Sequence, residues 1–186
     1  MEIFPRLIKI PVIKDILLVF NAYLWRGDTM FVSRFAPLSS CFSRLWARLG
    51  LALFTTFIFY GYDFIPRLNF FLIPISEPSI GYDLVLSIFP NLLGFGLGVY
   101  ALIFSLPGLL DRKNSKNTQS SNLLNADMGY PLLMMVIAIL VSLIAKACDG
   151  NFYLADVSFF LLIYGTLLLL ELISLIFMGA AKAINK

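Results

Sequence analysis

Four apolar stretches, each about as long as one bilayer crossing, dominate this 186-residue chain. They cover about 46–65, 82–106, 131–148 and 157–180, with interiors such as LALFTTFIFYGYDF and PLLMMVIAILVSLIAKAC. A helix rises ~1.5 Å per residue, so ~20 residues match a hydrocarbon core of ~30 Å. Lipid offers backbone groups no partner, which leaves helices or closed barrels as spanning structures. Barrel strands alternate polar and apolar residues, and these stretches do not. The expected fold class is therefore all-α: a polytopic membrane protein with a four-helix transmembrane bundle over 46–180. Composition agrees. Hydrophobic residues make up 60% and charged residues 13%, against ~45–50% and ~25% in soluble domains.

Charge placement sets the expected orientation. Residues 1–48 hold seven Lys or Arg, the 107–129 connection holds Arg112, Lys113 and Lys116, and the tail holds Lys182 and Lys186. The other side has only Arg67 and Lys146. Cytoplasmic loops carry the excess of Lys and Arg. Both termini and the 107–129 loop are thus expected in the cytoplasm, with 181–186 as a short tail. The start, MEIFPRLIKIPVIKD, lacks the unbroken apolar run of a signal peptide, so the spans themselves are expected to direct insertion.

Residues 1–45 read as a cytoplasmic or interfacial amphipathic region. Ile13, Ile16, Leu17, Phe20 and Leu24 recur at helical spacing, while Lys14, Asp15 and Asn21 point elsewhere. Trp25 and Trp46 suit interface depth, and Phe31, Phe35, Leu38, Phe42 and Leu45 suggest a second such stretch. The run from Ile10 to Trp25 is short for a fifth span and carries charge. The 107–129 segment, PGLLDRKNSKNTQSSNLLNADMG, reads as a polar loop.

The second span carries the most specific pattern. Ser87, Asn91, Gly94, Gly98, Ala101 and Ser105 form a heptad-like seam of small or polar residues. Such seams let helix backbones approach closely in lipid. Pro90 lies within it and is expected to kink the helix. The seam reads either as a packing surface, within or between subunits, or as a pore lining. Met135, Ala138, Ser142, Ala145 and Asp149 make a similar seam on the third span and are its expected partner.

Glu171 is the one acid deep within a span, ~13 Å from the cytoplasmic end. A charge at such depth is costly, and an intramembrane acid faces protein or water. By depth counting, its expected hydrogen-bond partner is Thr55 or Thr56, or a backbone group near Gly96 and Gly98. The acid reads either as a structural tie or as a proton- or cation-handling group. Arg112, Lys113 and Lys116 read as a topology signal that contacts anionic lipid or a cytoplasmic partner.

The chain has no His, and its two Cys, Cys41 and Cys148, fall on opposite sides of this arrangement. No metal site, cofactor or catalytic constellation is expected, so the chain reads as a non-enzyme. GFGLG lacks the Lys-Ser/Thr of a nucleotide loop and sits in lipid-grade flanks. The function expected is an oligomeric membrane subunit, an anchor or sensor that recruits a soluble cytoplasmic protein without binding nucleic acid itself. A small ion or proton channel using Pro90, the glycines and Glu171 is the alternative.

In span count, length and topology, and in the stretch FPNLLGFGLGVYALIF over Phe89–Phe104, the chain resembles the small four-span subunit of Kiwa-type bacterial anti-phage systems. The resemblance implies a membrane sensor assembled as a homo-oligomer, with a tetramer the expected state. It also implies a cytoplasmic effector that acts on nucleic acid. It assigns no functional residues.

Overall fold

The computed structural model describes residues 11–28, 36–60, 80–105, 115–148 and 152–184. They form five α-helices: α1 (Pro11–Leu24), α2 (Leu38–Tyr60), α3 (Ile80–Ser105), α4 (Ser115–Ala147) and α5 (Phe152–Ile184). Four of them contain segments long and apolar enough to cross a membrane: Ser39–Phe59, Ile80–Ile103, Asn122–Ala147 and Tyr153–Ser174. The protein is thus all-helical, and its four apolar helices suggest a multi-pass membrane protein.

Local chemistry explains the ends of α1. It starts at Pro11, where the missing N–H is not needed. It stops because Arg26 and Gly27 turn left-handed, with φ of 53° and 74°. The Gly27 N–H donates to the Ala22 carbonyl at 2.8 Å and the Arg26 N–H to Tyr23 at 3.3 Å. That pattern closes a helix C-terminus and satisfies its orphan carbonyls. With 14 residues, α1 is ~21 Å long and too short to span.

Two elements start earlier than sequence reading expects. α2 begins at Leu38, ahead of the expected first span. Phe42 and Leu45 extend the apolar character of the span toward the start of α2, so one helix carries both. Its first turn is anchored on the Pro37 carbonyl, which accepts from Ser40 and Cys41. α4 begins at Ser115, so most of the expected polar loop is helical. Residues 115–128 contain no Gly or Pro to stop a helix. Once a helix is nucleated, each further residue adds one backbone bond.

The chain divides into two compact units, one of residues 1–46, 96–133 and 175–186, the other of 47–95 and 134–174. In the first, α1 packs on α4. Tyr23 stacks on Tyr130 with ring centroids 4.1 Å apart, and Phe20 meets the same ring at 5.8 Å. A Cβ at Gly27 would lie 2.4 Å from the backbone of Asn122 and Leu123, so only glycine allows this approach. Asn21, expected to face away from the apolar stripe, is buried here.

In the second unit the core is Val85 and Phe89 of α3, Met135 and Ala138 of α4, and Phe159, Leu161 and Leu162 of α5. Phe59 of α2 packs edge-on against Phe159 at 5.4 Å. Two glycines permit the closest crossings. Gly81 abuts the Ala155 carbonyl and Gly165 abuts the Phe89 ring, each leaving only 2.8 Å for a Cβ.

Candidate functional sites: two arginine–carboxylate pairs and an outward seam

In the first unit, Arg44 of α2 gathers three groups. Its Nη1 donates to Asp127 of α4 at 2.9 Å and also to the backbone carbonyl of Tyr23. Its guanidinium lies 4.7 Å from the Tyr23 ring centroid. The side chains of Arg44 and Asp127 are only 18% and 10% exposed, so the planar fork binds a carboxylate, a carbonyl and a ring at a largely dry site. The Tyr23 carbonyl lies at the end of α1, where a cation is electrostatically favoured. In the same unit the Tyr100 hydroxyl bonds the Asn125 side chain.

In the second unit, Arg48 Nη2 donates to Glu171 Oε1 at 2.5 Å, with side chains 29% and 26% exposed. This corrects the expected partnership of the acid. Thr55 and Thr56 donate instead to Leu51 and Ala52, the carbonyls one turn back on their own helix, at 2.8 Å each. The expectation failed because depth was counted from residue 46. The apolar segment of α2 begins at Ser39, which puts Arg48 within it and within reach of Glu171. A readable signal was present: Arg44 and Arg48 stand four apart and so share one face of a helix. Lys146 donates to Asp83 of α3 at 2.9 Å, at an exposed position.

The seam of α3 faces outward. Ser87, Pro90, Asn91, Gly94, Gly98, Ala101 and Ser105 are all exposed. No heavy atom lies within 4 Å of the place a Cβ would take at Gly94 or Gly98. The polar side chains turn back on their own helix: Ser87 donates to Leu84, Asn91 to Ser87 and Ser105 to Ala101. α3 remains helical through Pro90. At ~100° per residue, Gly81, Val85, Phe89 and Gly96 lie on the opposite side of the helix, and these four are buried. Gly96 allows α3 to approach Leu132 in the first unit.

The seam on α4 behaves differently. Met135, Ala138, Ser142 and Ala145 are fully buried. Met135 and Ala138 meet Val85 and Phe89 of α3, so the expected pairing of the two small-residue seams is corrected. The large Val85 and Phe89 side chains fill the space beside the small α4 residues, which turns the α3 seam away. Arg112 and Lys113 lie outside the described residues, and Lys116 is in the first turn of α4. Cys41 and Cys148 are both free thiols.

No family model, curated protein or solved structure matches this chain.

Proposed function

We propose that the chain is a non-enzymatic, multi-pass subunit of a bacterial inner membrane, assembled from several copies and serving as an anchor or sensor for a soluble cytoplasmic protein. The observation that carries this reading is the outward seam of α3. Its residues from Ser87 to Ser105 are exposed on the single chain, while the other side of the helix packs inside. Between helices in lipid there is no hydrophobic drive, and close backbone approach over Gly, Ala and Ser supplies the association. A second copy of the chain is the occupant, and a tetramer is the expected state.

The excess of Lys and Arg in 1–38, 107–129 and the tail supports cytoplasmic termini. Arg112, Lys113 and Lys116 then lie at the cytoplasmic face, available to anionic lipid or the partner protein. The resemblance to the Kiwa-type subunit supports a role in anti-phage defence with a nucleic-acid-acting effector. The channel alternative draws on Pro90 and Asn91, which share the exposed seam and would line a pore if the copies closed around it.

Cysteine cross-linking in native membranes tests the assembly. Cys41 and Cys148 are first replaced by Ser, and Gly94→Cys, Gly98→Cys or Ala101→Cys is then introduced singly. These variants should form disulfide-linked dimers on mild oxidation, while Phe54→Cys on α2 should not. Equal cross-linking at all four positions, or none at the seam, contradicts the proposal. Ion flux into liposomes that Asn91→Leu abolishes would select the channel form of the assembly.

A further inference from the structure

The contacts of α1 are concentrated at one end. Pro11 to Asp15 are exposed, with Val12 at 68%. Burial begins only in the last turns, at Asn21, Tyr23, Leu24 and Gly27. Three features hold that end. Gly27 lies against the backbone of Asn122 and Leu123. Tyr23 and Phe20 meet the Tyr130 ring. Arg44 bridges the Tyr23 carbonyl to the Asp127 carboxylate with its guanidinium over the Tyr23 ring.

This attachment is polar at its centre. A buried ion pair adds little net stability over apolar packing of the same volume, yet breaking it by removing one partner is costly. An attachment of this kind is specific without being strong. The closing turn is itself conformationally taxed, because Arg26 sits at φ 53° without being glycine. The geometry points to α1 as a releasable strap: it docks through its last turns, where the Arg44 guanidinium, the Tyr130 ring and the Gly27 contact meet, and leaves as one unit while the apolar helices stay folded. Release uncovers the Tyr130 ring on α4, together with Phe20, Tyr23 and Leu24 on α1. The inference does not depend on the α3 seam or on the number of copies.

Hydrogen exchange on the full chain in lipid nanodiscs tests it. In the wild-type protein, the amides of 11–24 should exchange together, by an opening that precedes exchange in 134–147 and 152–174 as denaturant is raised. Arg44→Gln and Asp127→Asn should each speed exchange across 11–24 by at least about tenfold, the loss expected for a charged hydrogen bond. Exchange in 134–147 and 152–174 should not change. Unchanged exchange in 11–24 overturns the strap. So does exchange of α1 only together with 134–147 and 152–174 in the wild-type chain, a readout that stands even where a variant fails to fold.

Discussion

The Arg48 guanidinium of α2 donates to the Glu171 carboxylate of α5 at 2.5 Å, and both residues lie inside the apolar segments of their helices. A lone charge in either place would be costly, and pairing is the usual remedy for an ionisable group in a membrane helix. The pair matters for α2 in particular. Only 11% of its apolar segment is buried, against 44% in α4 and α5, so apolar packing does little to hold this helix.

Removing both partners should therefore cost less than the two single removals added together. Arg48→Ala or Glu171→Ala alone should lower stability by about 2 kcal/mol, between the values for exposed and buried pairs. The double variant should lose less than the sum of the two, and the charge swap Arg48→Glu with Glu171→Arg should recover part of the loss. Unfolding in mixed micelles by sodium dodecyl sulfate titration measures this. Strict additivity would show that the pair contributes no coupling.

The glycines should fall into two groups. Gly81→Ala and Gly165→Ala place a methyl 2.8 Å from the Ala155 carbonyl and the Phe89 ring, and overpacking of this sort costs about 1–3 kcal/mol. Gly94→Ala and Gly98→Ala meet nothing within 4 Å. They should leave the single chain unharmed or add up to about 1 kcal/mol of helix propensity. Melting temperatures of the four variants in micelles check the division. A larger loss at Gly94 or Gly98 than at Gly81 would contradict the outward seam.

The end of α1 gives a paired test. Gly27→Ala should free α1, because its Cβ would sit 2.4 Å from the α4 backbone. Arg26→Gly should instead tighten the turn, since it removes a left-handed non-glycine residue worth roughly 1 kcal/mol. Limited proteolysis between residues 24 and 37 should speed up for the first and slow down for the second.

Much of the helix arrangement was legible because hydropathy over ~20 residues is set by lipid alone. Helix faces were less legible. The seams of α3 and α4 look alike in sequence, yet Ser87 to Ser105 point outward and Met135 to Ala145 point inward. Which side is chosen depends on Val85, Phe89 and Phe159 filling one space together, and single-helix spacing cannot carry that information. The partner of Glu171 was missed for a simpler reason: depth was counted from residue 46, whereas the apolar segment of α2 begins at Ser39 and holds Arg44 and Arg48, each paired with a carboxylate. Asn21 was misplaced because burial at the end of α1 is organised by polar groups rather than by the apolar stripe.

Ser142 tests how dry the α4 seam is. Its hydroxyl is buried and has no hydrogen-bond partner among the described residues, and an unmet buried donor costs about 1–3 kcal/mol. Ser142→Ala should raise stability by a part of that, about 1 kcal/mol. Thermal unfolding in micelles provides the check, and a loss of stability would mean that the hydroxyl is serving a partner.

In the proposed topology four helices cross a bilayer with both ends on the cytoplasmic side. Paired reporter fusions measure it most directly, using one enzyme active only in the cytoplasm and one active only in the periplasm, joined in turn after residues 28, 70, 112, 150 and 186. Positions 28, 112 and 186 should report cytoplasm, and 70 and 150 periplasm. A periplasmic signal at 186, or the same compartment at 112 and 150, would contradict the account.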